Sequence, residues 1–151
     1  MDQDLTKVEP IIYKSKINVP YNWWAGDTAS RFFSDLCEKK ISGTRCGACK
    51  KVFVPPRKNC PYCGVPTEGW VTLAPEGELV TFTVARRKLA ALPVDVPAIF
   101  GLIRLSGADT ALLHYLGEVE PDKVRIGMKV VAKFAENPEK NIRAIEYFRP
   151  A

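Results

Sequence analysis

From Trp70 onward, hydrophobic and polar positions alternate in short runs that are separated by turn residues. This period of two predicts β-strands, because successive side chains of a strand point to opposite faces. The stretch "GWVTLAPEGELVTFTVARRK" predicts two strands around the turn "APEG". The stretches "AIFGLIRLSG" and "TALLHYLGEV" predict a hairpin about "SGAD", and "MKVVAKFAENPEKNIRAIEYF" predicts another about "ENPEKN". Five or so strands between residues 70 and 148, interrupted by several glycines, favour a small closed OB-type barrel.

The N-terminal part of the chain follows a different pattern. In "GDTASRFFSDLCEKK", apolar residues recur at helical spacing, so we expect a helix that Asp27 or Thr28 caps and that ends near Lys39 and Lys40. Cys37 lies beside its apolar face, which favours a small buried hydrophobe over a nucleophile. Residues 1–22 are expected to form an irregular or extended arm in which "IIYKSKINV" alternates as a strand does.

Two Cys-x-x-Cys pairs, separated by ten residues, form the strongest chemical signal. Cys46, Cys49, Cys60 and Cys63 can converge on one ion as a closed tetrahedral S4 site, which leaves no ligand position for water. Such a site is structural and not catalytic. The spacing is typical of a zinc ribbon, although rubredoxin-type iron uses the same ligands. We favour zinc, because the basic residues around the pairs suit a binding surface more than an electron-transfer site.

The net charge of +5 is concentrated at these cysteines. Residues 41–67 hold five basic residues and no acidic one, whereas the rest of the chain has equal numbers of each sign. With a tetrathiolate zinc of about −2, this segment keeps a charge of about +3. Pro55 and Pro56 stiffen the chain before Arg57 and Lys58, which suits recognition of phosphate or carboxylate. Alternatively, the charges could serve only to solubilise a small exposed lobe, and the prolines could stiffen the loop only for stability.

No catalytic set is evident in the sequence. His114, the single histidine, lies in the apolar run "ALLHYLG", where a histidine is usually structural. Metal-bound cysteines are poor nucleophiles, and neither a glycine-rich phosphate loop nor a nucleophile elbow is present. The chain has no run of eighteen apolar residues, and its start, "MDQDLTKVEP", is unlike a signal peptide. We therefore expect a non-catalytic protein of the cytoplasm, where thiols stay reduced.

Several segments in a fixed order resemble a known family. They are "VPYNWWAGDTASRFF", "GTRCGACKKVFVPPRKNCPYCG", "GWVTLAPEGELVTFTV" and a C-terminal "FRP". This order is similar to that of the family catalogued as domain of unknown function 35, over about residues 18–150. The resemblance implies a mainly β fold: an N-terminal arm and helix at 1–40, a rubredoxin-like zinc ribbon at 41–68 and a five-stranded OB-fold barrel at 69–151.

The resemblance also implies a function. Members of the family are typically accessory subunits of thiolase-like enzymes. They hold the complex together and help acyl-coenzyme A reach or sit in the partner's active site. The partner performs acyl transfer, thiolysis or aldol cleavage. Expected docks for the phosphates of coenzyme A are two basic clusters, Arg57 with Lys58, and Arg86, Arg87 and Lys88. The second cluster could also be a solvated basic turn. Trp23, Trp24 and Phe32 are expected to be partly exposed and to contact the enzyme.

Two other functions fit parts of the sequence. Zinc ribbons and OB barrels both bind single-stranded nucleic acid, and Phe53, Tyr62, Phe82 and Tyr115 could stack on bases. The even charge balance outside residues 41–67 counts against nucleic acid, since a binding groove needs excess basic residues along its length. A rubredoxin-like electron carrier is the other alternative. We expect no membrane association.

Overall fold

The described part of the N-terminal arm has no regular structure. A computed structural model describes residues 9–88 and 94–151, so the first eight residues of the predicted arm lie outside the described residues. Residues 9–26 contain no helix or strand, and residues 9–24 are exposed. The predicted strand at "IIYKSKINV" is therefore wrong for the isolated chain: none of the strands that the structure describes pairs with this segment.

The predicted helix is present as α1, Asp27–Cys37, but its ends differ from expectation. Gly26 occupies the N-cap position at φ 81°, and no side chain caps the helix, so neither Asp27 nor Thr28 has the predicted role. Asp27 instead stands in the first turn, where its negative charge favours the helix dipole. Beyond the helix, Lys39 adopts a left-handed conformation, and the Lys40 N–H donates to the Asp35 carbonyl at 2.9 Å. This is a Schellman closure.

The ribbon is a three-stranded antiparallel sheet. Its strands are β1 (Ile41–Cys46), β2 (Val52–Phe53) and β3 (Thr67–Leu73), in the order β2-β1-β3. Trp70 pairs with Thr44 of β1, so it belongs to the ribbon sheet and does not open the barrel. The two runs around "APEG" are thus both strands, but they lie in different sheets.

The five remaining strands close into a barrel. They are β4 (Glu76–Ala85), β5 (Ala98–Leu105), β6 (Leu112–Leu116), β7 (Lys129–Phe134) and β8 (Ile145–Pro150). Their order is β4-β5-β6-β8-β7, and β6 and β8 run parallel where Leu116 faces Phe148. Both predicted hairpins are confirmed as the antiparallel pairs β5–β6 and β7–β8. Short 3₁₀ helices occupy Pro121–Lys123 and Ile142–Ala144. The predicted fold class, mainly β with a helix, a ribbon and an OB-type barrel, is confirmed.

One hydrophobic core joins the helix, the ribbon and the barrel. Phe32 and Leu36 of α1 are buried in it together with Ile41 of β1 and the barrel residues Leu79 and Phe148. A second, small cluster contains Cys46, Phe53 and Cys60, and it lies inside the ribbon. The ribbon therefore depends on the cysteine site for its own interior. Of the helices in the described residues, none is long and apolar enough to cross a membrane.

Candidate metal centre and partner surfaces

The first cysteine pair lies in a tight turn that follows β1. The Cys46 N–H donates to the Lys51 carbonyl at 2.9 Å, and the Cys46 carbonyl accepts from the Lys50 N–H at 3.1 Å. Lys50 has φ 63°, which lets the chain reverse directly after Cys49. The Cys49 N–H also points at the Cys46 sulfur, at 3.4 Å. The turn thus brings two sulfurs together and directs a backbone donor at one of them.

The second pair repeats this geometry. The Cys60 N–H donates to the Val65 carbonyl at 2.8 Å, and the Cys60 carbonyl accepts from the Gly64 N–H at 2.9 Å. Gly64 has φ 71° and holds the position that Lys50 has in the first turn. Two turns with the same hydrogen bonds at the same spacing are two metal knuckles.

The four sulfurs of Cys46, Cys49, Cys60 and Cys63 meet at one place. All of them lie within 4.8 Å of one another, and those of Cys49 and Cys60 are 3.6 Å apart. Zinc–sulfur bonds of about 2.3 Å in a tetrahedron require sulfurs about 3.8 Å apart, so the residues present fit the ion. Cys46 and Cys60 are buried, whereas Cys63 is exposed, so one side of the cluster faces solvent. The site is a metal-binding cysteine cluster.

The thiols of the cluster differ in acidity. The Cys49 N–H lowers the pKa of Cys46 to about 7, because it stabilises the thiolate. The hydrogen bond with Cys49 raises the pKa of Cys63 to about 12, and burial and the other two cysteines act in the same direction. Four adjacent thiolates therefore need a cation among them, and a divalent metal supplies that charge.

The basic residues of the ribbon surround this cluster in different environments. Lys51 lies 3.9 Å from Asp109 of the barrel and over the Tyr62 ring, so a carboxylate partly balances its charge. The side chains of Arg57 and Lys58 are exposed, and no carboxylate of the described residues lies within ion-pair distance of them. Arg57 and Lys58 thus present charge to solvent beside the knuckles.

The backbone at Arg57 is held from both sides. The Arg57 N–H donates to the Thr44 hydroxyl at 2.9 Å, and the hydroxyls of Thr44 and Thr67 both donate to the Arg57 carbonyl. These contacts fix the Arg57 backbone, from which the guanidinium side chain extends, relative to the ribbon sheet. The sequence suggested stiffness from the two prolines, but the threonines that complete it are distant along the chain and carry no local signal.

The second basic cluster follows β4, as predicted. Arg86, Arg87 and Lys88 come directly after Ala85 and are exposed. Lys88 forms an ion pair with Asp95 at 2.8 Å, and the hydrogen bond lowers the pKa of Asp95 and raises that of Lys88. Part of this cluster is therefore already neutralised.

The expected partner-contacting aromatic residues divide into two groups. Trp23 and Trp24 are 74% and 77% exposed, which fits the expectation. Phe32 is 2% exposed and lies in the main core, so its predicted exposure is wrong. Phe32 and Leu36 are four residues apart on α1, and both face the core. Helical spacing shows which face is apolar but not which of two adjacent phenylalanines is the more deeply buried.

His114 is a structural residue. It is buried in β6, its Nδ1 accepts the Tyr115 N–H at 2.9 Å, and its Nε2 lies 3.2 Å from the Ile142 carbonyl. Nε2 therefore carries the proton and donates it to that carbonyl. Burial lowers the pKa of His114. Cys37 is half-buried against the core, and its thiol lies 3.7 Å from the Pro138 carbonyl.

Two grooves have opposite character. One, of about 430 Å³, is almost entirely apolar and lies where α1, the ribbon prolines and β6 meet; Phe33, Pro55, Pro56 and Leu113 line it. The other, of about 690 Å³, has both acidic and basic walls around Tyr115. None of the lining residues of these two grooves belongs to either predicted basic cluster.

The aromatic residues expected to stack on bases are not arranged as one platform. Phe53 is fully buried inside the ribbon, and Tyr62 lies over it at 6.3 Å between ring centroids. Tyr115 instead pairs with Phe100 at 4.8 Å on the barrel. A buried Phe53 cannot stack on a base, which weakens the nucleic-acid alternative.

Known proteins resemble this chain in both of its parts. Family models for the rubredoxin-like zinc ribbon domain of ChsH2 and for its C-terminal OB-fold domain match residues 36–68 and 70–135. A relative from Thermomonospora curvata, described as "Probable enoyl-CoA hydratase alpha subunit", is 30% identical over 121 residues. That alignment covers 80% of this chain but only 36% of the relative, so the chain spans little more than a third of that protein.

Two solved structures share the fold. A chain of the structure titled "Ltp2-ChsH2(DUF35) aldolase" is 26% identical with a TM-score of 0.66, and the match covers 85% of this chain and 98% of that one. A DUF35 protein of unknown function from Sulfolobus solfataricus is 25% identical with a TM-score of 0.62, covering 83% and 84% of the two chains. The cysteine knuckles, the barrel and these likenesses together show that the chain belongs to the family of domain of unknown function 35.

Proposed function

We propose that this chain is a non-catalytic accessory subunit of an enzyme complex that acts on acyl-coenzyme A thioesters. The observation that carries the proposal is the likeness to a chain of the Ltp2-ChsH2(DUF35) aldolase, which extends over nearly all of both chains. The relative from Thermomonospora curvata is by its name also one subunit of an enzyme of coenzyme A thioesters. In this proposal the catalytic residues belong to the partner chain.

The chemistry of the described residues supports a non-catalytic role. The cysteine cluster directs all four sulfurs at one point, so a bound metal has no position left for a substrate. Both ring nitrogens of His114 are engaged with backbone atoms inside the core. What the surface offers instead is binding: an exposed apolar arm, an apolar groove and two basic clusters. Zinc is the metal we propose for the cluster, with iron as the alternative.

The partner that we propose is a thiolase-like chain. Two reactions suit such a partner, acyl transfer between thioesters and aldol cleavage of a β-hydroxyacyl thioester. The name of the similar solved structure favours the aldolase over the acyltransferase. Either reaction needs the thioester held while a carbon–carbon bond forms or breaks, and a second chain can supply that binding without contributing to the chemistry.

We further propose that Arg57 and Lys58 bind the phosphates of coenzyme A. Arg57 directly follows Pro56, which lines the apolar groove, so an exposed cationic side chain extends from a fixed backbone position next to an apolar surface. Acyl-coenzyme A has the same two features, with phosphates at its nucleotide end and an apolar acyl chain at the other. Arg86 and Arg87 are the second candidates, because Lys88 is already paired with Asp95. A bidentate arginine–phosphate contact suits either place.

Affinity purification from the native host tests the accessory role. The tagged chain is purified, and the chains that accompany it are identified by mass spectrometry and their proportions measured. A thiolase-family chain in fixed proportion is the expected result. Recovery of nucleic acid, or of the chain alone, would overturn the proposal.

Calorimetry on the reconstituted complex tests the coenzyme A contact. Two double variants are compared, Arg57→Ala with Lys58→Ala and Arg86→Ala with Arg87→Ala. Loss of a phosphate contact should weaken coenzyme A binding by about tenfold or more, since hydrogen bonds to charged groups are worth about 1.5–3 kcal/mol. Lys123→Ala with Lys140→Ala removes the same charge elsewhere and serves as control. If all three variants bind coenzyme A as tightly as the natural chain does, neither basic cluster binds its phosphates.

A further inference from the structure

We propose that residues 11–19 become a β-strand that is added to an exposed sheet edge of the partner enzyme subunit. This inference rests on the proposed function, because it assumes that a partner enzyme exists. It goes further by naming the segment that makes the contact and the kind of surface that receives it. The receiving surface is an unpaired edge strand with apolar side chains beside it and acidic residues at its rim.

The first support is the alternation along the arm. Counting from Ile11, every second residue up to Trp23 is large and apolar except Ser15. The intervening positions 14, 16 and 18 are polar, and Ile12 is the one apolar residue of the opposite face within residues 11–19. The apolar set is Ile11, Tyr13, Ile17, Val19, Tyr21 and Trp23, and the polar set is Lys14, Lys16 and Asn18. A period of two puts these sets on opposite faces of an extended chain. No helix would separate them in this way.

The second support is the exposure of the apolar set. Each of its six side chains is between 69% and 87% exposed in the isolated chain. Exposed apolar side chains are normal when scattered singly, but Ile11, Tyr13, Ile17 and Val19 would share one face of the proposed strand, and such a patch marks an interaction site. No backbone hydrogen bond joins residues 11–19 to any other part of the described chain. The arm thus has the alternation of a strand, but within the described residues it neither pairs with a sheet nor packs on a core.

The third support is the lack of a suitable sheet edge within residues 9–88 and 94–151. The barrel is closed, and the ribbon ends on one side with β2, which has two residues. The other edge of the ribbon, β3, has seven residues and is interrupted by Gly69 at φ 70°. Among the described residues no free edge matches a nine-residue strand. A second copy of this chain would offer the same short edges, so the receiving edge belongs to a different protein.

The sequence of the arm also indicates where its pairing with the partner's strand ends and which charges the partner carries there. Pro20 has no N–H, which prevents it from continuing a hydrogen-bonded ladder beyond Val19. Lys14 and Lys16 lie on the polar face, so acidic residues at the rim of the receiving edge would complement them. Pairing of this kind draws affinity from main-chain hydrogen bonds and specificity from the alternate side chains.

Adjacent substitutions on the two faces provide the test. Ile17→Lys places a charge on the apolar face, and Asn18→Lys places the same charge one residue later on the polar face. Both positions are exposed in the isolated chain, so neither change should affect folding. Binding to the co-purified enzyme subunit is measured for the full-length chain and both variants. We expect Ile17→Lys to weaken binding by about tenfold or more and Asn18→Lys by less than about threefold.

Hydrogen exchange on the same complex provides the second readout. In the isolated chain, the amides of residues 11–19 should all exchange rapidly. In the complex, the amides at alternate positions should exchange slowly, because only every second N–H points at the receiving edge. A complex that forms with this segment still unprotected would overturn the strand proposal and leave the accessory role standing. Protection of residues 11–19 in a dimer of this chain alone would overturn it in favour of a second copy. Absence of any complex would overturn both proposals.

Discussion

Val54 and Thr110 exchange two hydrogen bonds across the junction between the ribbon and the barrel. The Val54 N–H donates to the Thr110 hydroxyl at 2.8 Å, and that hydroxyl donates to the Val54 carbonyl at 2.9 Å. Next to them, the Val52 N–H donates to the Asp109 carboxylate at 2.8 Å, and the Asp109 N–H donates to the Val52 carbonyl. The loop between β5 and β6 thus holds the ribbon as an additional strand would.

Replacing the Thr110 hydroxyl should loosen this junction. Thr110→Val keeps the shape but leaves the Val54 N–H and carbonyl without their partner, so we expect the free energy of unfolding to fall by about 1–3 kcal/mol. Thr110→Ser keeps the hydroxyl and is the control, with a loss below about 1 kcal/mol. Urea unfolding measures both values. A larger loss for Thr110→Ser than for Thr110→Val would mean that the methyl group, and not the hydrogen bonds, secures the loop.

The metal should stabilise only the outer part of the ribbon. Cys46, Phe53 and Cys60 form the small cluster at the site, whereas Ile41 and Val54 pack in the main core. Stripping the metal should therefore expose amides 46–51 and 57–66 to rapid hydrogen exchange. The start of β1, the end of β3 and the Val52 and Val54 amides, which are bonded to the barrel loop, should stay protected. Exchange measured with and without a chelator gives the result. An unchanged pattern in residues 46–66 would contradict a metal at this cluster.

Cysteine substitutions test the same site through the number of metal ions bound per chain. Cys60→Ser removes a buried member of the cluster and should abolish the single bound metal, whereas Cys37→Ser changes a cysteine packed against the main core and should leave one ion bound. Elemental analysis of the purified variants counts the ion and separates zinc from iron. Visible absorption gives the independent check, since a tetrathiolate zinc site is colourless and a rubredoxin-type iron site is not.

Local signals explain most of what the sequence predicted correctly. The cysteine knuckles are fixed by residues within six positions of one another, and the connections of both barrel hairpins are rich in turn residues. The alternation of apolar residues identified the barrel strands because one face of each is buried. Such features depend on neighbours in the chain, so spacing and turn chemistry are enough to find them.

The errors have tertiary causes. Trp70 reads as the first residue of a barrel strand, but its hydrogen-bond partners lie in β1, and no local pattern shows which sheet a strand joins. The helix begins after Gly26 without a side-chain cap, since glycine alone can adopt that backbone conformation easily. The contact of Thr110 with Val54 joins residues 56 positions apart, beyond the reach of any motif. The arm alternates as a strand does, but no sheet of the described residues pairs with it, and alternation alone does not form a strand.

A methyl group at Gly101 should destabilise the barrel through one identifiable contact. A Cβ there would lie 2.5 Å from Leu79 Cδ1 and 3.1 Å from Leu116 Cδ1, inside the closed core. We expect Gly101→Ala to cost about 1–3 kcal/mol, as overpacked cores do. In a background with Leu79→Ala the same change should cost much less, because the clashing methyl is absent. A double-mutant cycle in urea measures the coupling, and additive losses would contradict the contact.

His114 should make stability depend on pH. Its pKa is lowered by burial, so below its usual value of about 6.5 the unfolded chain binds a proton that the folded chain resists. Its contribution is therefore fully present above that pH and is lost as the pH falls towards the lower pKa of the folded state. His114→Gln can still donate to the Ile142 carbonyl but does not titrate.

The free energy of unfolding, measured from pH 7.5 to pH 5, should decline more steeply for the natural chain than for the His114→Gln variant. Protonation of the cysteine cluster affects both proteins alike, and His114 is the single histidine of the sequence. The difference between the two pH curves therefore reports the titration of His114. Parallel curves would show that His114 is equally easy to protonate in both states.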